Sequence, residues 1–148
     1  MMTAVLQVPR KKEVTLTTDQ LLHRLIYDAS RELGLPKWQA EQAADGGMMK
    51  VDGIQISISC LETDVQKDAI VVAKLAVMVC PDSIRQLLEI NLIAAIALHS
   101  TISIDSDGDA ILLALLPIEK SDASFFANHV SQMALFATTV QQQIGKSL

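Results

Sequence analysis

The chain has 148 residues, half of them hydrophobic, with 3% aromatics and a formal net charge of −5. That length fits one domain with a core of its own, built mostly from Leu, Ile, Val, Ala and Met, and needing no disulfide or metal to fold. Residues 1–16 carry Arg10, Lys11 and Lys12 against Glu13, a net +2 that leaves −7 on the rest. A balance of that sign argues against nucleic acid as a partner, since phosphate binding needs a basic surface.

Residues 1–16 read as a flexible N-terminal extension, and 17–148 as a single domain. Ala4-Val5-Leu6 is too short for a signal-peptide core, and the basic residues follow it instead of preceding it. No uncharged apolar run reaches the ~20 residues of a membrane span, so no membrane insertion is expected. Cys60 and Cys80 have no Cys or His at metal-ligand spacing. They read as buried free thiols of a reducing compartment, and the expected location is cytoplasmic.

Thr17 or Thr18 offers an N-cap, with Gln20 completing a capping box from Thr17. Leu21, Leu22, Leu25, Ile26, Ala29 and Leu33 then recur at helical spacing, and Gly34 with Pro36 closes this first helix. For residues 37–47 the pattern offers at most a helical turn before Gly46-Gly47. A hairpin follows, with Met48 to Val51 and Ile54 to Leu61 around Asp52-Gly53. Ile54, Ile56, Ile58 and Cys60 share one face of its second strand. Ala69 to Val79 is almost continuously apolar and reads as a central strand, or one covered on both faces.

Pro81 and Asp82 open a second helix running to about Leu98, with Asp82 as the expected cap. A second hairpin, Thr101 to Asp105 and Ala110 to Leu116, surrounds an acidic turn. Ser121 is the expected cap of a last helix whose stripe is Phe126, Val130, Met133, Ala137, Val140 and Ile144, closed by Gly145. The fold class is α+β in the order α-β-β-β-α-β-β-α, a twisted, mostly antiparallel sheet packed against helices.

From Ile90 to Leu98 the second helix has a single polar residue, Asn91. A helix that is apolar all round must be covered all round, and one sheet covers one face. A second copy across a two-fold axis would supply the remaining cover. The expected homodimer interface is Ile84, Leu87, Leu88, Asn91, Ala94, Ala95 and Leu98, with Asn91 fixing register near the seam.

Catalytic signatures are missing. Asp105-x-Asp107-x-Asp109 matches the start of a calcium loop, but the sixth position is Ala110 and the twelfth Leu116, where Gly and Glu are needed. His23, His99 and His129 are scattered, and no nucleophile or phosphate-loop motif is present. No catalytic residue, metal or cofactor is expected.

The pattern resembles the class I type III secretion chaperones, the Tir-chaperone-like family. Leu33-Gly34-Leu35-Pro36 is similar to the family's close of its opening helix. Leu87-Leu88-Glu89-Ile90-Asn91 resembles its central-helix signature, Ile102-Ser103-Ile104-Asp105 with Asp107-Gly108 its next hairpin, and Leu115-Leu116-Pro117-Ile118 the exit into its final helix. The resemblance spans roughly residues 18–145. It implies a homodimer around the second helix that binds the N-terminal segment of a secreted effector protein in non-globular form, without ATP of its own. A secretion ATPase is a further partner that the resemblance allows. It also implies apolar grooves between the first helix and the sheet, mapped here to Leu22, Leu25, Ile26, Leu33, Ile54, Ile56 and Ile58. The alternative is a cytosolic protein-binding domain of the same fold unrelated to secretion.

Overall fold

The structure, a computed structural model, describes residues 16–147, with side chains as far as Ile144. The expected extension therefore lies outside the described residues except for Leu16. Helix α1 (Thr18–Glu32) starts at the expected capping box: the Gln20 N–H donates to Thr17 Oγ1 at 3.2 Å, and the Thr17 N–H to Gln20 Oε1 at 2.9 Å. It ends in a Schellman motif. The Leu35 N–H reaches the Ser30 carbonyl, the Gly34 N–H reaches that of Arg31, and Gly34 takes the left-handed φ of +91° that the motif requires.

Residues 37–47 form more than the expected turn. Helix α2 (Lys37–Gly46) begins directly after Pro36 and buries Ala40, Ala43 and Ala44. Small side chains on that face let its backbone lie close to α1, and His23 Nε2 meets Asp45 Oδ1 at 2.8 Å across the pair. Gly47 ends the helix at φ +66°. A Cβ there would sit 2.5 Å from the Ile58 carbonyl oxygen, so both the backbone angle and the close approach require glycine.

Strands β1 (Met48–Val51), β2 (Ile54–Glu62), β3 (Lys67–Met78), β4 (Ser100–Ile104) and β5 (Asp109–Pro117) form one fully antiparallel sheet in the order β1-β2-β3-β5-β4. Helix α3 (Pro81–Leu98), the second helix of the sequence reading, lies between β3 and β4 in the chain. Helix α4 (Ala123–Ser147) follows β5. The observed order is thus α-α-β-β-β-α-β-β-α.

One face of the sheet carries Ile54, Ile56, Ile58, Val71, Leu75, Leu112 and Leu116, all buried. Against it lies the stripe of α4. Phe126, Val130, Met133, Ala137, Val140 and Ile144 are each at most 2% exposed, and burying each larger one contributes roughly 2 kcal/mol. The other face is mixed. β3 is central, as expected, but covered on that side only in part: Ile70 and Val72 are half-buried while Lys74 and Met78 are exposed.

Two caps differ from expectation. α3 is capped from Cys80, not Asp82: the Cys80 N–H donates to Ser83 Oγ, whose hydroxyl in turn donates to the Met78 carbonyl and ties the helix to β3. α4 is capped by Asp122, not Ser121, since Asp122 Oδ1 accepts from the Phe125 N–H at 2.8 Å. The Ser121 hydroxyl reaches back to the Pro117 carbonyl. The helix also runs through Gly145 to Ser147. In the acidic turn, Asp105 Oδ1 accepts from the N–H groups of Asp107 and Asp109, which makes it an Asx turn. Cys60 and Cys80 are free thiols, half-buried instead of buried as expected.

His129 of α4 is half-buried near the end of α3, and its Nδ1 has no partner among the described residues. Burial lowers its pKa from the ordinary 6.5, with His99 adding to the effect and the Leu98 carbonyl opposing it. The folded state therefore favours neutral imidazole. Stability should fall as pH drops below about 6.5, where the unfolded chain protonates first, and level off below the depressed folded-state value. Urea melts of wild type and His129→Gln at about pH 7.5 and 5 check this, and the variant should lose less stability on acidification.

Candidate partner-binding site

β1 covers only part of β2. Its register runs Met48 to Ser57 through Val51 to Ile54, and beyond it the Gly47 carbonyl accepts the Ile58 N–H at 2.7 Å. Backbone groups alternate sides along a strand, so those of Cys60 and Glu62 point the same way as those of Ile58. No strand lies beside them among the described residues. β2 thus overhangs its neighbour and offers a short open edge.

Beside this edge, α1, α2 and β2 enclose a groove of about 340 Å³. Leu22, Ile26, Ala44 and Ile58 give it apolar walls, while Asp19, His23 and Asp45 stand at its rim with Cys60 between them. The local field is negative. Burial pushes the Cys60 thiol pKa up, and the carboxylates of Asp19 and Glu62 push it further. An apolar floor, an open strand edge and an acidic rim can hold an extended peptide segment, with backbone bonds giving affinity and the floor taking alternate side chains.

The structure brings together three of the seven residues assigned to the groove from sequence. Leu22, Ile26 and Ile58 line it. Leu25 lies at the other side of α1, beside Ile118. Leu33 lines a separate cleft with Val51 and Lys50. Ile54 and Ile56 lie in the core and pair with Val51 and Met49 of β1; Ile58 is buried as well, and borders the groove only because β1 has ended beside it.

A second cleft escaped the sequence reading. Leu35, Trp38, Gln42, Met48 and Gln55 border a space of about 350 Å³ between α2 and β1. Trp38 is 59% exposed and Met48 51%. The signal was the lone tryptophan of the chain in an otherwise small-residue segment.

α3 divides the residues assigned to the dimer. Leu87, Ala94 and Leu98 face inward and are buried in the chain's own core. Asn91 also faces inward: its Oδ1 accepts the Ile102 N–H at 2.7 Å and so caps the outer edge of β4. Ile84, Leu88 and Ala95 face outward, together with Leu92, Ile93 and Ile96. Ile96 is 71% exposed and Leu92 65%, which leaves an apolar helix face uncovered. Asn91→Ala should orphan the Ile102 amide and cost about 1–3 kcal/mol in denaturant melts, with amide exchange accelerated in β4.

Among the described residues no helix is long and apolar enough to cross a membrane, and no group of three or more metal-ligating side chains converges. The model of the Tir chaperone protein (CesT) family matches residues 24–140. No curated protein matches in sequence. The fold is similar to that of the HopA1–SchA chaperone–effector complex, at TM-score 0.63 and 15% identity over 87% of this chain and 99% of that one. It is also similar to the Yersinia pestis type III secretion chaperone SycH solved with a fragment of YscM2, at TM-score 0.57 and 16% identity over 84% and 99%. A third similar structure is the heterodimeric ExoU–SpcU complex from the type III secretion system of Pseudomonas aeruginosa, at TM-score 0.55 and 16% identity over 79% and 95%. With the family model covering most of its length, the chain belongs to the Tir chaperone (CesT) family.

Proposed function

We propose that this protein is a cytoplasmic chaperone of type III secretion that binds the N-terminal segment of a secreted effector and keeps it soluble and unfolded for export. The observation that carries this reading is the overhanging edge of β2 beside an apolar groove. Such a site suits a chain held extended. Membership of the chaperone family supports it, as do similar folds solved as chaperone–effector complexes. Holding a segment requires only binding energy, so the function calls for no catalysis and no cofactor. Release falls to the secretion machinery. The cleft at Trp38 and Met48 is a second contact surface on the same side of the molecule as the β1 edge.

The working unit we propose is a homodimer through the outward face of α3, centred on Leu88, Leu92 and Ile96. In one protomer these side chains meet water, and a copy of the same face would exclude it. Leu88→Asp tests this without disturbing the protomer core, because Leu88 is 64% exposed. Light scattering should give twice 16.1 kDa for wild type and 16.1 kDa for the variant. A wild-type mass of one chain would remove the dimer.

Co-expression with secreted proteins encoded beside its gene should yield a stable complex. Limited proteolysis of that complex should leave an effector segment near its N terminus protected. Trp38→Ala should weaken the complex about tenfold, the effect of losing an aromatic anchor, with an unchanged thermal melt. Recovery of no secreted protein, or protection confined to a folded effector domain, would defeat the reading.

A further inference from the structure

We infer that the free edge of β1, beside the cleft at Trp38, takes an added strand from an extended partner segment that alternates apolar with acidic residues. This rests on the cleft being the second contact surface named above. It gives that surface a partner chemistry opposite in charge to the one the acidic groove between α1, α2 and β2 favours.

The backbone comes first. β1 is the outermost strand at its end of the sheet. The Ile58 N–H reaches the Gly47 carbonyl, and bonding groups alternate along a strand. Met49 and Val51 therefore turn their N–H and carbonyl groups toward β2, and Met48 and Lys50 turn theirs outward. Two amides and two carbonyls face a missing neighbour. A short edge strand carrying a lysine is a common protection against such pairing. A protected edge has no need of an exposed tryptophan and methionine beside it, and here both border a space of about 350 Å³. The uncovered face of α3 lies at the opposite end of the sheet, next to β4. A dimer formed there leaves the β1 edge accessible.

Side chains decide the class of segment. Leu35, Trp38 and Ala43 supply apolar surface, three glutamines are neutral, and Lys50 is the one charge on the lining. Lys50 is exposed and forms no ion pair among the described residues. Asp52, two residues on, lines the adjoining cleft at Leu33 instead. Residues 17–148 carry −7, so a cleft with a lone lysine and no carboxylate stands apart from the rest of the surface and favours a carboxylate on the partner. Met48 and Lys50 are exposed on one side of β1, while Met49 and Val51 are buried on the other. An added strand repeats that alternation. Its acidic side chains then lie beside Lys50, and its apolar ones turn toward Ala43 and Trp38 of α2.

Trp38 is the only tryptophan of the chain, so its emission reports on the cleft and no effector is needed. The probes are two capped synthetic heptapeptides, one alternating valine with glutamate and the other valine with lysine. The glutamate peptide should shift Trp38 emission to the blue, saturably, and bind about fivefold more tightly than the lysine peptide. Lys50→Gln should make the two peptides equal, and Lys50→Glu should reverse their order, with thermal melts matching wild type. Amide exchange with the glutamate peptide bound should slow about fivefold or more at Met48 and Lys50, and stay unchanged at Met49 and Val51, which β2 already holds.

No saturable shift with the glutamate peptide up to about 1 mM would overturn the proposal. So would equal affinity of the two peptides for wild type, or a shift of Trp38 emission without slowed exchange at Met48 and Lys50. Each of these results leaves the effector reading to its own co-expression experiment. Failure of that experiment together with the expected peptide pattern would leave the β1 site standing without the secretion role.

Discussion

The second half of α3, apolar from Ile90 to Leu98 but for Asn91, can be covered by its own small domain on one side only, and the architecture is arranged around that limit. α3 turns Leu87, Ala94 and Leu98 toward the core. Through Asn91 it also closes the outer edge of β4. A single polar atom in a stretch otherwise built from aliphatic side chains, Ile90 to Leu98, thus satisfies a backbone amide of β4 that would be left open. The same orientation pushes Leu88, Leu92 and Ile96 into water. Closing the sheet at this end and exposing an apolar face are two results of one rotation of the helix.

The other end of the sheet is left incomplete in a different way. α2 must finish and β1 must begin within a single residue, and Gly47 makes that possible by taking a left-handed angle against the Ile58 carbonyl. β1 then has only four residues to pair with a nine-residue β2. The overhang from Cys60 to Glu62 follows from this mismatch. α1 and α2 pack on each other through small alanines, with His23 and Asp45 meeting across the pair, and leave it uncovered. Groove and edge are therefore consequences of one short strand.

Much of this was legible from sequence, and the gaps have physical causes. The capping box at Thr17 and Gln20 and the stripe of α4 are strong signals, because each repeats the same choice at several positions. α2 was not legible. Its start has no side-chain cap, its buried face is alanine, and the flanking Pro36 and Gly46-Gly47 read as breakers. The phase of α3 could not be read either. A stretch apolar on every side gives no hint of which stripe faces inward, and Leu87, Ala94 and Leu98, expected at the seam, lie instead in the protomer's own core. The groove residues show a related limit. Ile54, Ile56 and Ile58 share one strand face, and only the end of β1 decides which of them can meet a partner.

The distribution of charge bears on how such a molecule selects what it binds. A net −7 falls outside the first sixteen residues, and several of its carboxylates sit in turns, as at Asp105, Asp107 and Asp109, or at groove rims, as at Asp19 and Asp45. Turn carboxylates keep a protein with large apolar faces dispersed in solution. Rim carboxylates would act on a partner held in the proposed groove. An apolar floor with an open strand edge accepts almost any alternating segment, because backbone bonds carry little sequence information. Flanking acidity adds the missing discrimination, favouring segments with basic residues beside their apolar ones and speeding their approach. In this reading affinity resides in the floor and the strand edge, and choice of partner in the rim.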